Sequence, residues 1–120
     1  MKNVLIVDNS SYMRLFIKKV IQKAGSYTIF EAEGKDDALE RFEIQNPDIV
    51  ILDLNMSEFT MDGIDVLNDI MKIKPDTAVI IVSAVGHQEV KDKCIELGAK
   101  AYIKKPIDIK ALLNVLEEFK

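Results

Sequence analysis

Four polar residues stand where apolar runs stop. Asp8 follows Val4-Leu5-Ile6-Val7, Asp53 follows Ile49-Val50-Ile51-Leu52, Ser83 follows Val79-Ile80-Ile81-Val82, and Lys105 closes Ala101-Tyr102-Ile103-Lys104. A carboxylate can serve as a nucleophile, and formation of an aspartyl phosphate is one such reaction. Phosphoryl transfer asks more for charge neutralisation than for covalent machinery, and an ammonium and a divalent cation supply it. Mg2+ accepts one or two carboxylates, several waters and phosphoryl oxygens, which Asp8 and Asp53 on neighbouring strands would suit. Plainer readings exist for each residue alone. Asp8, followed by Asn9-Ser10-Ser11, can cap a helix; Ser83 can cap another; Lys105-Pro106 suits an exposed turn. Asp53 resists such a reading, because an unpaired charge after four apolar residues near a sheet centre is costly. The signal is the convergence of all four.

Convergence requires strands that share one edge. The four apolar runs are continuous rather than alternating, which predicts strands covered on both faces, as in a parallel sheet. A fifth segment, Thr28-Ile29-Phe30-Glu31-Ala32, alternates more and is placed at a sheet edge. Between them lie helical patterns. Met13, Phe16, Ile17, Val20, Ile21 and Ala24 form one apolar face, with Ser10 or Ser11 as cap and Gly25 suited to a left-handed position past the end. Ala38, Leu39 and Phe42 mark a second helix closed by Asn46-Pro47. Ile64, Leu67, Ile70 and Met71 mark a third, ending before Pro75. Val90, Cys94 and Leu97 mark a fourth, stopped by Gly98. Asp108 can cap a fifth, with Ile109, Leu112, Leu113, Leu116 and Phe119 on its face. Strand and helix alternate five times, which predicts an α/β fold with helices on both faces of a parallel sheet. The carboxyl ends of such strands lie along one edge, where ligands bind.

The chain has 120 residues, 48% hydrophobic and 30% charged. That predicts one domain over residues 1–120, large enough for a single core. A net charge of −4 argues against a nucleic-acid partner. A lone cysteine, Cys94, excludes an internal disulfide and argues against a cysteine-based zinc site. No apolar run approaches the ~20 residues of a membrane span, and the N-terminal run is too short for a signal peptide. The expectation is a cytoplasmic protein without membrane insertion.

Four stretches together, "LIVDNSSYMR", "DIVILDLNM…MDG", "VIIVSA" and "AYIKKPID", resemble the receiver domains of two-component response regulators, in order and across essentially the whole chain. The resemblance implies a doubly wound, flavodoxin-like sheet of five parallel strands in the order 2-1-3-4-5 with five helices. It implies that Asp53 accepts a phosphoryl group from a histidine kinase or histidine phosphotransfer protein. Mg2+ would be held by Asp8, Asn9, Asp53 and the backbone carbonyl of Asn55. Ser83 and Lys105 would contact the phosphoryl group, Tyr102 would be the aromatic switch residue, and the peptide before Pro106 would be cis. Such a domain is a switch with at most weak self-dephosphorylation, not an enzyme.

Tyr102, "SSYMR" and "SAVGHQ" resemble the single-domain chemotaxis branch most, and 120 residues leave no room for an output domain. The implied downstream target is a protein such as a flagellar motor switch or a relay component. A phosphorelay intermediate, a phosphorylation-independent interaction module and a receiver excised from a longer chain are the alternatives. An Asp53-dependent phosphatase of the haloacid-dehalogenase type is a further one, although such enzymes usually carry a second aspartate where this chain has Asn55.

Two departures from the family pattern matter. The acidic pair is Asp8-Asn9, with an amide in place of the second carboxylate. The segment Met56-Ser57-Glu58-Phe59-Thr60-Met61-Asp62-Gly63 is two residues longer than usual and has Ser57 in place of proline. Among the remaining residues, His87 reads as exposed polar surface and Cys94 as core. Lys91, Asp92, Lys93 and Glu96 read as a solvated helix face.

Overall fold

A computed structural model describes residues 2–55 and 62–119. Its five strands are β1 (Lys2–Val7), β2 (Tyr27–Ala32), β3 (Ile49–Leu52), β4 (Ala78–Ser83) and β5 (Ala101–Lys104). They alternate with α1 (Ser11–Ala24), α2 (Lys35–Gln45), α3 (Asp62–Ile73), α4 (Gln88–Leu97) and α5 (Ile109–Phe119). All strand pairs are parallel, in the order β2-β1-β3-β4-β5. The architecture is therefore the doubly wound α/β sandwich the alternation predicts.

Successive side chains of a strand point to opposite faces, so each apolar run feeds two cores. Leu5, Val7, Val50, Leu52, Val79 and Ile81 pack with Phe42, Leu67, Ile70 and Cys94 on the side of α2, α3 and α4. Val4, Ile6, Ile49, Ile51, Ile80 and Val82 pack with Ile17, Ile21, Leu112 and Leu116 on the side of α1 and α5. Every residue of β3 and β4 is buried, which is why these runs show no alternation. The register pairs Val7 with Leu52 and Leu52 with Ile81. Asp8 and Asp53, which follow Val7 and Leu52, and Ser83, the last residue of β4, therefore emerge at one sheet edge.

The helix ends follow local chemistry. Ser10 is the N-cap of α1, its Oγ accepting from the Met13 N–H at 3.2 Å. Asn46 closes α2 in the left-handed region at φ 47°, donating its N–H to the Phe42 carbonyl at 3.0 Å, and Pro47 prevents continuation. Gly98 closes α4 at φ 117° with its N–H shared between the Cys94 and Ile95 carbonyls. The Asp108 carboxylate accepts from the Lys110 N–H at 3.0 Å at the start of α5.

One expectation needs correction. Gly25 does not take the left-handed position after α1; its backbone is close to fully extended, at φ 158° and ψ −163°, because the chain passes directly into β2. The run Ala101–Ile103 is packed on both faces, Tyr102 toward α4 and Ala101 and Ile103 toward α1 and α5, but less deeply than β3 and β4. β5 is the second edge strand, and only Ile103 within it is buried. β2 is at an edge, as its alternation indicates. The insertion after Asp53 falls largely on residues 56–61, which lie outside the described residues.

Candidate functional site

The carboxyl ends of β1, β3, β4 and β5 bring the four polar residues into one cluster. Asp8, Asp53 and Ser83 are buried, with 2%, 5% and 0% of their surface exposed. The Lys105 ammonium lies 3.0 Å from Asp8 Oδ2 and 3.6 Å from Asp53 Oδ1. Lys105 is aimed inward by its backbone, whose N–H donates to the Ser83 carbonyl at 2.8 Å, and the Lys105–Pro106 peptide is cis.

The plainer readings of these residues do not describe the geometry. Ser10, not Asp8, caps α1, and Asp8 Oδ1 instead accepts the Ser10 N–H at 2.9 Å. His87 stands at the N-cap of α4, so Ser83 caps no helix; its Oγ accepts the Val85 N–H at 3.1 Å. Lys105 reaches into the site rather than into solvent.

Electrostatics set Asp53 apart from surface carboxylates. Burial, with Asp8 adding to it, pushes the Asp53 carboxyl up to about 6, against the partial offset of Lys105 and the Asn55 N–H. That N–H is 3.4 Å from Asp53 Oδ1, which places Asn55 beside the Asp53 carboxylate. Asn9 is exposed next to Asp8. Among the described residues no three acidic, histidine or cysteine side chains converge as a metal cluster. The acidic groups the structure brings together are the Asp8 and Asp53 carboxylates, both within reach of the Lys105 ammonium. Such a hard-oxygen pair fits Mg2+, which takes one or two carboxylates and keeps several waters.

Tyr102 lies half-buried on β5, packed against the core on the α4 side, and its hydroxyl donates to the Val85 carbonyl. Burial raises its phenol above the usual value. Val85 is consequently held at both ends of its backbone, by Ser83 at the N–H and by Tyr102 at the carbonyl. Cys94 is buried, and desolvation raises its thiol, as befits a core residue. His87, Lys91, Asp92, Lys93 and Glu96 are exposed.

Two contributors were not singled out from the sequence. Gly63, at the start of α3, donates its N–H to the Leu54 carbonyl at 2.9 Å. A Cβ there would stand 2.3 Å from the Asp53 carbonyl oxygen and 2.5 Å from Leu54 Cα. Arg14 is buried on α1, with Nε 3.0 Å from Glu31 and Nη1 donating to the Asp8 backbone carbonyl. Its signal was present: Arg14 precedes Ile17 and Ile21 on the buried stripe of α1, where a cation is out of place unless it is partnered.

The profile of the family described as "Response regulator receiver domain" matches residues 4–117. The chemotaxis protein CheY of Thermotoga maritima is 39% identical over 117 residues, covering 98% of this chain and 96% of that protein. CheY of Bacillus subtilis is 36% identical over 115 residues, covering 96% and 94%. Among solved structures, a CheY-like receiver domain protein from Methanospirillum hungatei superposes with a TM-score of 0.89 at 25% identity, covering 98% of this chain and 92% of that one. No helix among the described residues is long and apolar enough to cross a membrane.

Proposed function

The chain belongs to the response regulator receiver domain family, and from that premise we propose that it is a phosphorylation-controlled switch of the chemotaxis type, with Asp53 as phosphoacceptor. The observation that carries this reading is the pair of buried carboxylates bridged by one ammonium, with a buried hydroxyl on the adjoining strand. An Asp53 oxygen forms the new O–P bond while the P–N bond of a phosphohistidine donor breaks. The bonding electrons return to the imidazole nitrogen, which takes up a proton. Lys105 then pairs with a phosphoryl oxygen, and the Ser83 hydroxyl turns to a second one.

Receiver domains of this family generally use Mg2+, and here Asp8, Asn9, Asp53 and the Asn55 carbonyl would hold it. Bound, the ion neutralises developing charge on the transferring oxygens. The chain's own residues do the rest. Burial of Asp53 excludes bulk water, and Lys105 holds the acceptor in place. When Ser83 turns away, the Val85 N–H loses its acceptor, and the loop carrying the Tyr102 contact rearranges. That change would remodel the face formed by α4, β5 and α5, where a downstream protein such as a flagellar motor switch component could read it. A single receiver over residues 1–120, acting in the cytoplasm and phosphorylated by a histidine kinase, completes the proposal. The similarity to two CheY proteins over nearly their full length favours chemotaxis over a relay.

Intact-mass measurement after incubation with Mg2+ and acetyl phosphate tests the reading. One phosphoryl group is expected on the wild type and none on Asp53→Asn; equal labelling of the variant would sink it.

A further inference from the structure

The ladder between β1 and β2 stops one rung short at the site. Asp8 donates its backbone N–H to the Ala32 carbonyl at 3.1 Å. In a parallel ladder the next donor would come from β2 two residues on, at Gly34. There the chain has already turned toward α2, and the Glu33 and Gly34 N–H groups both donate to the Asp37 carboxylate at 2.8 Å. The Asp8 carbonyl would be left as a buried acceptor without a donor, which folded proteins avoid. Arg14 supplies the donor from α1 through Nη1.

Ion pairing alone does not account for burying this guanidinium. Its carboxylate partners are Glu31 at 3.0 Å and Glu33 at 3.7 Å, and their side chains are 40% and 76% exposed. An arginine could meet both in solvent. The partner that requires burial is the Asp8 carbonyl. With it, every polar group of Asp8 is held: N–H by Ala32, carbonyl by Arg14, Oδ1 by the Ser10 N–H and Oδ2 by Lys105.

We propose that Arg14 is a positioning residue of the phosphorylation site: by clamping the Asp8 carbonyl it fixes the Asp8–Asn9 peptide and thereby aims the side chains that would hold the cation. The proposal rests on the reading of Asp8 and Asp53 as the Mg2+ site. Its effect on affinity has a sign that distinguishes it from simple electrostatics. Deleting a positive charge near a cation site strengthens cation binding, whereas loss of positioning weakens it.

The test is a Mg2+ titration without phosphodonor, followed by backbone amide chemical shifts near Asp8 and Asp53, on wild type, Arg14→Met and Arg14→Lys. Circular dichroism establishes that each variant is folded. Arg14→Met is expected to bind Mg2+ about tenfold more weakly, as loss of a partner that orients a metal ligand usually does. An unchanged or tighter dissociation constant in folded Arg14→Met would overturn the proposal. Should that variant not fold, Arg14→Lys keeps the charge but replaces the planar fork with a point donor. Weaker binding is expected there too, and wild-type affinity would overturn the proposal. If wild type itself shows no Mg2+ response at Asp8 and Asp53, the metal-site reading fails, a result distinct from failure of Arg14.

Discussion

The Lys105 ammonium sits between two buried carboxylates, 3.0 Å from Asp8 and 3.6 Å from Asp53. Burial works against ionised Asp53, and Lys105 is a main group opposing it. Lys105→Ala should therefore leave the two carboxylates to repel one another and drive the Asp53 carboxyl above about 6. Lys105 is partly solvent-accessible, so the loss in folding stability at pH 7.5 should be about 1–3 kcal/mol, below that for a fully buried pair. At pH 5 the Asp53 carboxyl is already largely protonated, and the deficit should shrink. Urea unfolding of both proteins at the two pH values decides it; an equal deficit at both would show that the ammonium does not compensate Asp53.

Asp53 itself gives a pH dependence of defined sign. Its folded-state value of about 6 lies above the ordinary 3.8. The folded protein then binds the proton more tightly than the unfolded chain, so this group destabilises the fold above about pH 6. The penalty falls away as pH drops from about 6 toward 3.8. Its upper limit is about 3 kcal/mol, from 1.36 kcal/mol per pKa unit. Asp53→Asn should remove this dependence and be more stable relative to wild type at pH 7.5 than at pH 5. Mg2+ should narrow the same gap in wild type. A variant as pH-sensitive as wild type between 5 and 7.5 would assign the dependence to other groups.

Ser83 and Tyr102 meet at one residue, Val85. The Ser83 hydroxyl accepts the Val85 N–H at 3.1 Å, and the Tyr102 hydroxyl donates to the Val85 carbonyl. Ser83→Ala removes the acceptor and should cost about 1–2 kcal/mol. The variant should still accept a phosphoryl group on Asp53, since the nucleophile and Lys105 remain. It should lose the chemical-shift response of Val85 and Tyr102 to beryllofluoride. A wild-type response at Tyr102 would break the proposed coupling.

Gly63 lies against the backbone of Asp53 and Leu54. An added Cβ would meet the Asp53 carbonyl oxygen at 2.3 Å, and backbone cannot yield as a flexible side chain can. Gly63→Ala should shift α3 or the Asp53–Leu54 backbone, destabilising the fold by about 2–4 kcal/mol. Phosphorylation by acetyl phosphate should slow, because the acceptor moves with its carbonyl. Full stability together with a wild-type rate would show that the helix accommodates the methyl group freely.

Much of this was legible in the sequence, for a definite reason. In a parallel sheet with both faces covered, the buried part of a strand reads as an unbroken apolar run. The residue that ends the run is then located almost to the position. Asp8, Asp53 and Ser83 were found that way. β5 reads like an interior strand because Ala101, Tyr102 and Ile103 pack on both faces as such a strand does; only the strand order shows that one of its edges is open and its burial shallower. Arg14 was passed over because it is one cation in a helix that also carries Lys18, Lys19 and Lys23, and those suggest a solvated surface. What makes Arg14 different is the unfilled rung at Asp8, created by the turn of β2 toward Asp37. That relation spans three elements and leaves no periodic trace.

Asn9 stands beside Asp8, where the receiver pattern usually has a second carboxylate. An amide oxygen can still face a cation, directly or through water, but one unit of negative charge is absent. At ~4 Å and an effective dielectric near 20, one charge–charge interaction is about 4 kcal/mol, and an exposed position such as this leaves much less. Asn9→Asp has two opposing consequences. It increases attraction for the divalent cation, and it increases repulsion of the incoming phosphoryl group. The cation carries two charges and would sit closest, so attraction should dominate, with about tenfold tighter Mg2+ binding, or roughly 1.4 kcal/mol. A second consequence follows from the site's own electrostatics. Asp8 already helps to raise the Asp53 carboxyl to about 6, and a third carboxylate should raise it further when Mg2+ is withheld. The two readouts are independent: a Mg2+ titration followed at the Asp8 amide, and a pH titration of Asp53 in chelator. If Asn9→Asp leaves both unchanged, residue 9 does not face the cation and the metal site must be drawn from Asp8 and Asp53 alone.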